Sequence, residues 1–376
     1  VYWNTTKDLL MAVPVDNTTG YSYQFQNFGK TSNRGIELSV NVDVINKGDF
    51  RFNVGAIYNY NRNKLDELPN ADQYLYSSYW GSSSLVPTND YMFVEGKAIG
   101  LVRGFISEGY YTVDDFNYTT GQYVLKEGVP DITKALTATY MHPYDLPAGQ
   151  TAFPGAAKFR DVDESGTVDL DDATCLGEVM PRHTGSFQLN FNYKNFDLST
   201  NFNWTAGGKV YNVAAMINAS GQEFDGIGAQ RASWVADAFK VYNVNAAGDL
   251  YAVTNPDELR ALNANAKYHL PYHQSGITSS EWLENGSYLR LQTLTLGYTL
   301  PKNWLTKVHV DKIRLYLTAT NLFTITGYSG IDPEVNANPT GQSGFYSDLR
   351  IFPTLNMDFG TYPRARTFTF GANITF

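Results

Sequence analysis

Thr367-Phe368-Thr369-Phe370-Gly371-Ala372-Asn373-Ile374-Thr375-Phe376 is the stretch that decides the fold. Phe368, Phe370, Ala372, Ile374 and Phe376 alternate with Thr369, Gly371, Asn373 and Thr375. Successive side chains of a strand point to opposite faces, so one face here is apolar and the other small and polar. The same period runs through Ile36, Leu38, Val40, Val42 and Val44, which alternate with Glu37, Ser39, Asn41 and Asp43. It returns in Phe187, Leu189, Phe191 and Tyr193, and again in Phe196, Leu198, Phe202 and Trp204.

The connections alternate between tight and long. Asn46-Lys47-Gly48-Asp49, Lys194-Asn195 and Pro301 to Asp311 are short, whereas 12–29, 64–182, 205–285 and 327–364 are long. Long structureless loops argue against an ordinary compact domain. Short turns on one side and long loops on the other suit an outer-membrane barrel. The pattern predicts eight strands, at about 1–11, 29–45, 50–63, 183–193, 196–204, 286–300, 312–326 and 366–376. Leu289 and Leu291 are out of phase with Leu294, Leu296, Tyr298 and Leu300, which places a bulge or the membrane boundary near Gln292-Thr293. A soluble β-sandwich would need shorter strands and regular turn spacing, which the chain lacks.

Composition agrees. No run of apolar residues is long enough for a transmembrane helix. Aromatic residues make up 15% of the 376 positions, as girdles at two membrane interfaces would require. The net charge of −9 and the absence of a Lys/Arg run argue against a nucleic-acid partner, since phosphate contacts need clustered basic side chains. The single Cys175 permits no intrachain disulfide. No signal peptide opens the chain; Val1-Tyr2-Trp3-Asn4 already reads as strand, and the expectation is a piece of something longer.

Several stretches together resemble the SusC-type TonB-dependent outer-membrane transporters. They are Asn33-Arg34-Gly35-Ile36-Glu37-Leu38, Phe159-Arg160-Asp161-Val162-Asp163, Asn192 to Ser199, Ser287-Tyr288-Leu289-Arg290-Leu291, Leu296 to Pro301, Thr320-Asn321-Leu322-Phe323 and Gly330-Ile331-Asp332-Pro333-Glu334-Val335. The terminal Phe376 also looks like the aromatic end by which such barrels are recognised for insertion. The resemblance implies an all-β, transmembrane antiparallel barrel of about 22 strands with a plug inside, of which this chain would be the C-terminal part. It further implies a SusD-like surface lipoprotein, TonB acting through a missing N-terminal region, contact with outer-membrane lipid, and glycan or peptide cargo. The alternative is an outer-membrane enzyme or a surface ligand-binding barrel on the same strand pattern.

Within the long segment 64–182, residues 161–172 match an EF-hand-like calcium loop. Calcium takes six to eight oxygens. Asp161, Asp163 and Ser165 would offer side-chain oxygens, Gly166 the turn, Thr167 its carbonyl, Asp169 a direct or water-mediated ligand, and Asp172 the closing carboxylate in place of the usual Glu. An acidic turn without metal is the plain alternative. The same segment is crowded with aromatics. Tyr79, Trp80, Tyr91, Tyr110 and Tyr111 are candidates for stacking on a ligand, although so long a loop also needs a core of its own. Catalysis has little support. His269 and His273 are four apart, but Pro271 intervenes and no third zinc ligand is apparent; Cys175 reads as a packed thiol, and no Gly-x-Ser-x-Gly, His-Glu-x-x-His or P-loop occurs.

Overall fold

A computed structural model describes all residues except 9, 15–17, 19, 21–22, 28, 69–72, 79–84, 138–141, 221–231, 271–275, 307–309 and 336–354. Eight strands form one antiparallel sheet: β1 (Tyr2–Lys7), β2 (Lys30–Lys47), β3 (Phe50–Glu67), β4 (His183–Tyr193), β5 (Phe196–Ala206), β6 (Tyr288–Thr299), β7 (Lys312–Thr326) and β8 (Thr367–Thr375). They pair strictly in chain order, and β1 and β8 are the two edges of the sheet. The wall is therefore an arc, as expected of part of a larger barrel.

The register explains why this sequence makes a wall. Val42 faces Val54, Val54 faces Leu189, Leu198 faces Leu296, Leu296 faces Leu317, and Leu317 faces Phe370. Directly opposite residues share a face, so these pairs join into one apolar surface across the strands. Stacked cross-strand rings, Phe52 on Phe191 at 4.3 Å and Phe187 on Phe202 at 4.6 Å, stabilise it further. No protein covers that surface: Leu38 and Val40 are 55% exposed and Phe370 is 73% exposed. So large an exposed apolar area needs a lipid neighbour. Phe50, Tyr193, Phe196 and Tyr298 line up at its inner margin, and Tyr58, Tyr60, His183 and Trp204 at its outer margin. Phe50 to Tyr60 is about 33 Å along the strand, or ~23 Å across a bilayer at about 45° tilt, close to the apolar band of such barrels.

The phase break in β6 is a bulge. The pairing slips between Leu291 and Thr293 against both neighbours: Gln292 is the extra residue against β5, whereas against β7 two residues, Asn321 and Leu322, face it. Leu289 and Leu291 thereby stay on the same face as Leu294 and Leu296. The facing slip in β7 contains Asn321 at φ +51°, a conformation that Asn tolerates better than most residues.

Two boundaries differ from expectation. The first strand ends at Lys7 because Asp8 turns the chain at φ +57°, and Leu10–Pro14 then pairs with Tyr23–Asn27 as a separate hairpin. β2 and β3 run 18 residues each, longer than the membrane requires, and stand above it. The segments 64–182 and 205–285 are also not separate loops. One core joins Phe105, Tyr111, Phe153 and Phe159 with Phe239 and Leu259. A second joins Leu65, Tyr91 and Val179 with Tyr211, Trp282 and Met357. The long outer segments fold into one body seated on the barrel mouth.

Candidate functional site

The face opposite the apolar one is polar, and its side chains bond to one another. Asn53 Nδ2 donates to Asn41 Oδ1 at 2.6 Å and to Asp43 Oδ1 at 2.9 Å. Ser199 Oγ donates to Asn190 Oδ1 at 2.6 Å, and the hydroxyls of Thr295 and Thr318 lie 2.9 Å apart. Thr369 and Asn373 belong to this row, as the alternation in β8 predicts. Near the inner end, Arg314 Nε donates to Asp197 Oδ1 at 2.9 Å across the intervening strand β6. That crossing passes over Gly297, where any Cβ would collide with both partners. A recess of about 420 Å³ opens there, lined in part by Asn190, Asn192, Asp197 and Arg314. The wall thus offers hydrogen-bonding groups and solvated charge along its inner side, which suits passage of a polar solute.

The outer body is tied to this wall by an ion cluster that the sequence reading missed. Arg290 is 2% exposed and sits on the polar face of β6. Its Nη2 lies 2.5 Å from Asp332 Oδ1, its Nη1 2.9 Å from Glu334 Oε2, and its Nε 3.0 Å from Thr324 Oγ1. Arg364 also reaches Glu334, at 2.7 Å. The neighbouring segment is pinned too: Ser329 donates to Glu284, and Tyr328 Oη donates to Asp358 at 2.6 Å. The available signal was an arginine between two leucines of a membrane strand, which must be aimed inward and paired.

The acidic loop comes together only in part. Carboxylate oxygens of Asp161, Asp163 and Asp172 lie within 4.8 Å of one another. Gly166 turns the chain at φ +87° and donates its N–H to Asp161 Oδ2 at 2.7 Å. The Ser165 hydroxyl donates to the Thr167 carbonyl at 3.0 Å, which brings both beside the cluster. Hydrogen bonding from Ser165 holds the Asp163 carboxyl below the usual carboxylate range. Asp172 is fully buried and accepts from the backbone N–H of Val162 and Asp169. Asp169 stands outside the trio: its carboxylate caps the turn Leu170–Asp172 by accepting from Asp171 N at 2.8 Å. None of the three clustered carboxylates forms an ion pair among the described residues. A hard, oxygen-seeking cation fits this donor set.

The aromatic candidates fare differently. Tyr91 and Tyr111 are wholly buried, so they are core residues and not a stacking surface. Their hydroxyls donate to the Leu355 carbonyl at 3.1 Å and the Pro130 carbonyl at 2.7 Å. Tyr110 is half-buried, edge-on to Phe239, and its hydroxyl donates to the Ala266 carbonyl at 3.0 Å. Tyr79, Trp80 and His273 lie outside the described residues. His269 is buried, which pushes its imidazole down to about 4, and burial pushes Glu281, 3.9 Å away, up to about 7. Cys175 lies in the strand Thr174–Glu178 opposite Arg103.

No protein-family model matches the chain. It is 30% identical over 376 residues to TonB-dependent receptor P3 of Formosa agariphila, covering 100% of this chain and 32% of that protein. It is 25% identical over 385 residues to the TonB-dependent receptor SusC of Bacteroides thetaiotaomicron, covering 100% of this chain and 29% of SusC. The solved RagAB peptide transporter superposes with a TM-score of 0.63 at 21% identity, covering 100% of this chain and 32% of the transporter chain. The chain spans about a third of the length of the relatives it matches.

Proposed function

We propose that this chain, similar over its whole length to TonB-dependent receptors including SusC, is a barrel portion of such a transporter and forms part of the wall and outer vestibule of an importer for large polar nutrients. Glycans and peptides are the cargo classes the resemblance supports, and a peptide transporter is among the structures it superposes on. A SusD-like lipoprotein would sit on the outer body, and TonB would act through a region outside this chain. The observation that carries the reading is the two-faced sheet. Its outward face is apolar across the strands, while its inward face presents Asn, Ser and Thr side chains. This reading is of a transporter and not of an enzyme.

We also assign a calcium ion to Asp161, Asp163 and Asp172, with Ser165 and Thr167 beside it and Asp169 indirect. Its role would be to staple the segment 64–182. The test of transport is uptake of labelled oligopeptides and labelled oligosaccharides by cells with and without the full-length gene, each in the presence and absence of TonB. Uptake of one class that requires both the gene and TonB is expected. Uptake that is unchanged by removing the gene would overturn the proposal.

A further inference from the structure

Arg34 and Arg62 face each other directly across β2 and β3. Both belong to the outward phase that carries Ile36, Leu38, Tyr58 and Tyr60, and both are exposed. They stand two residues beyond Tyr60, the outer aromatic margin. At about 3.3 Å per residue and about 45° tilt, that is ~5 Å above the belt, at the level of lipid headgroups. Like charges placed directly opposite on paired strands repel and destabilise the pair. Two nearby lysines are already engaged, Lys64 with Asp66 at 3.2 Å and Lys30 with Glu67 at 2.9 Å. Arg34 and Arg62 have no ion-pair partner among the described residues. Trp3, opposite Arg34 on β1, is 66% exposed and lies under the Arg34 guanidinium at 4.0 Å. This cation–π contact holds one guanidinium in place and leaves its N–H edges open.

We infer that Arg34 and Arg62 form a binding site for the phosphorylated headgroup of an outer-leaflet lipid. Two guanidiniums on directly opposed residues can converge on the oxygens of one phosphate, which would remove their mutual repulsion. Trp3 contributes an amphipathic ring at the interface, where such rings concentrate. The lipid's acyl chains would then lie along the apolar row that begins at Ile36. The inference rests on the outward orientation of this face, which the charge scan of β8 described in the Discussion tests separately.

The experiment uses the full-length protein in phosphatidylcholine nanodiscs doped with phosphatidic acid, a phosphate monoester lipid, with retained lipids counted by native mass spectrometry. Wild-type protein should retain phosphatidic acid in preference to phosphatidylcholine. R34Q/R62Q should lose that preference by about tenfold, the scale of two solvent-exposed charge pairs. R34K/R62K, which keeps charge but not the fork, should fall between the two. Should R34Q/R62Q fail to assemble, R62Q alone carries the same comparison. Equal retention by wild type and the glutamine variant overturns the site. Displacement of the lipid by millimolar inorganic phosphate would show a free-anion site instead, and overturns the lipid assignment. Loss of the site with the β8 scan intact would refute the headgroup contact alone and leave the membrane orientation standing.

Discussion

Replacing Arg290 by Met should free the last outer segment while the membrane wall stays folded. Met fills much of the arginine stem, so the change isolates the charge. Asp332 is 8% exposed, and without Arg290 its carboxylate is left buried and unpaired. Glu334 keeps Arg364 at 2.7 Å and is less affected. Removing one partner of a buried ion pair costs about 3–5 kcal/mol. At about 1.4 kcal/mol per factor of ten, opening of the segment around Ser329–Val335 should become at least about a hundredfold more frequent. Amide exchange of Tyr328 and Glu334 in the full-length protein reads this directly. The triple variant R290M/D332N/E334Q should recover most of the loss, because no uncompensated buried charge remains and Arg364, which loses Glu334, is solvated. Exchange within threefold of wild type in R290M, or a triple variant no better than the single, would refute the claim that the cluster anchors this segment.

Phe370→Lys places a charge in the apolar band and should cost ~2–4 kcal/mol, whereas Thr369→Lys on the opposite face should be nearly neutral; urea unfolding in lipid vesicles measures both, and a reversed order would invert the assigned faces. For the buried pair, a folded carboxyl held up to about 7 makes stability fall as pH rises from about 4.5, while a folded imidazole held down to about 4 makes it rise up to about 6.5. The two slopes oppose each other, so exchange at Ser279–Leu283 should be nearly flat with pH in wild type. It should show stability rising in Glu281→Gln and falling in His269→Gln over that window, and three identical profiles would contradict the assignment. Gly104→Ala should loosen the seam between the outer segments by about 1–3 kcal/mol, because the new methyl group meets the Thr278 carbonyl; exchange of Phe105, whose N–H donates to that carbonyl at 2.9 Å, is the readout. Asp161→Ala with Asp163→Ala should raise protease cleavage between about Asp66 and Pro181, and chelator should do the same to wild type. A chelator-insensitive cleavage pattern would leave the loop a solvated acidic turn.

The wall was legible because alternation is a local signal that each strand states independently. Even the irregularity at Gln292 showed itself, as a phase change between Leu291 and Leu294. The outer body was not legible in the same way. Tyr111 and Tyr91 look identical to surface aromatics in sequence, and only contacts with residues distant in the chain, Pro130 and Ala156 for Tyr111 and Tyr211 and Leu355 for Tyr91, decide that they are buried. Arg290 with Asp332 and Glu334 likewise pairs groups that periodicity does not connect. The acidic loop was half legible: spacing located Asp161, Asp163 and Asp172, but Asp169 finds a nearer donor in the backbone of its own turn, a competition that Asp residues at helix starts commonly win.

Leu65, at the top of β3, and Met357, just before the last strand, share one hydrophobic core. Almost the whole chain must therefore be delivered before that core can exist. Contacts of such long sequence separation form slowly, since the loop closure they require comes before any gain from burial. The order of assembly follows: strands first, with their neighbours adjacent in sequence, and the outer body last. A newly exported chain must cross the periplasm with these core residues still exposed, including Tyr91, Tyr211 and Trp282. The protein's greatest exposure to aggregation is thus during biogenesis, before the outer body closes.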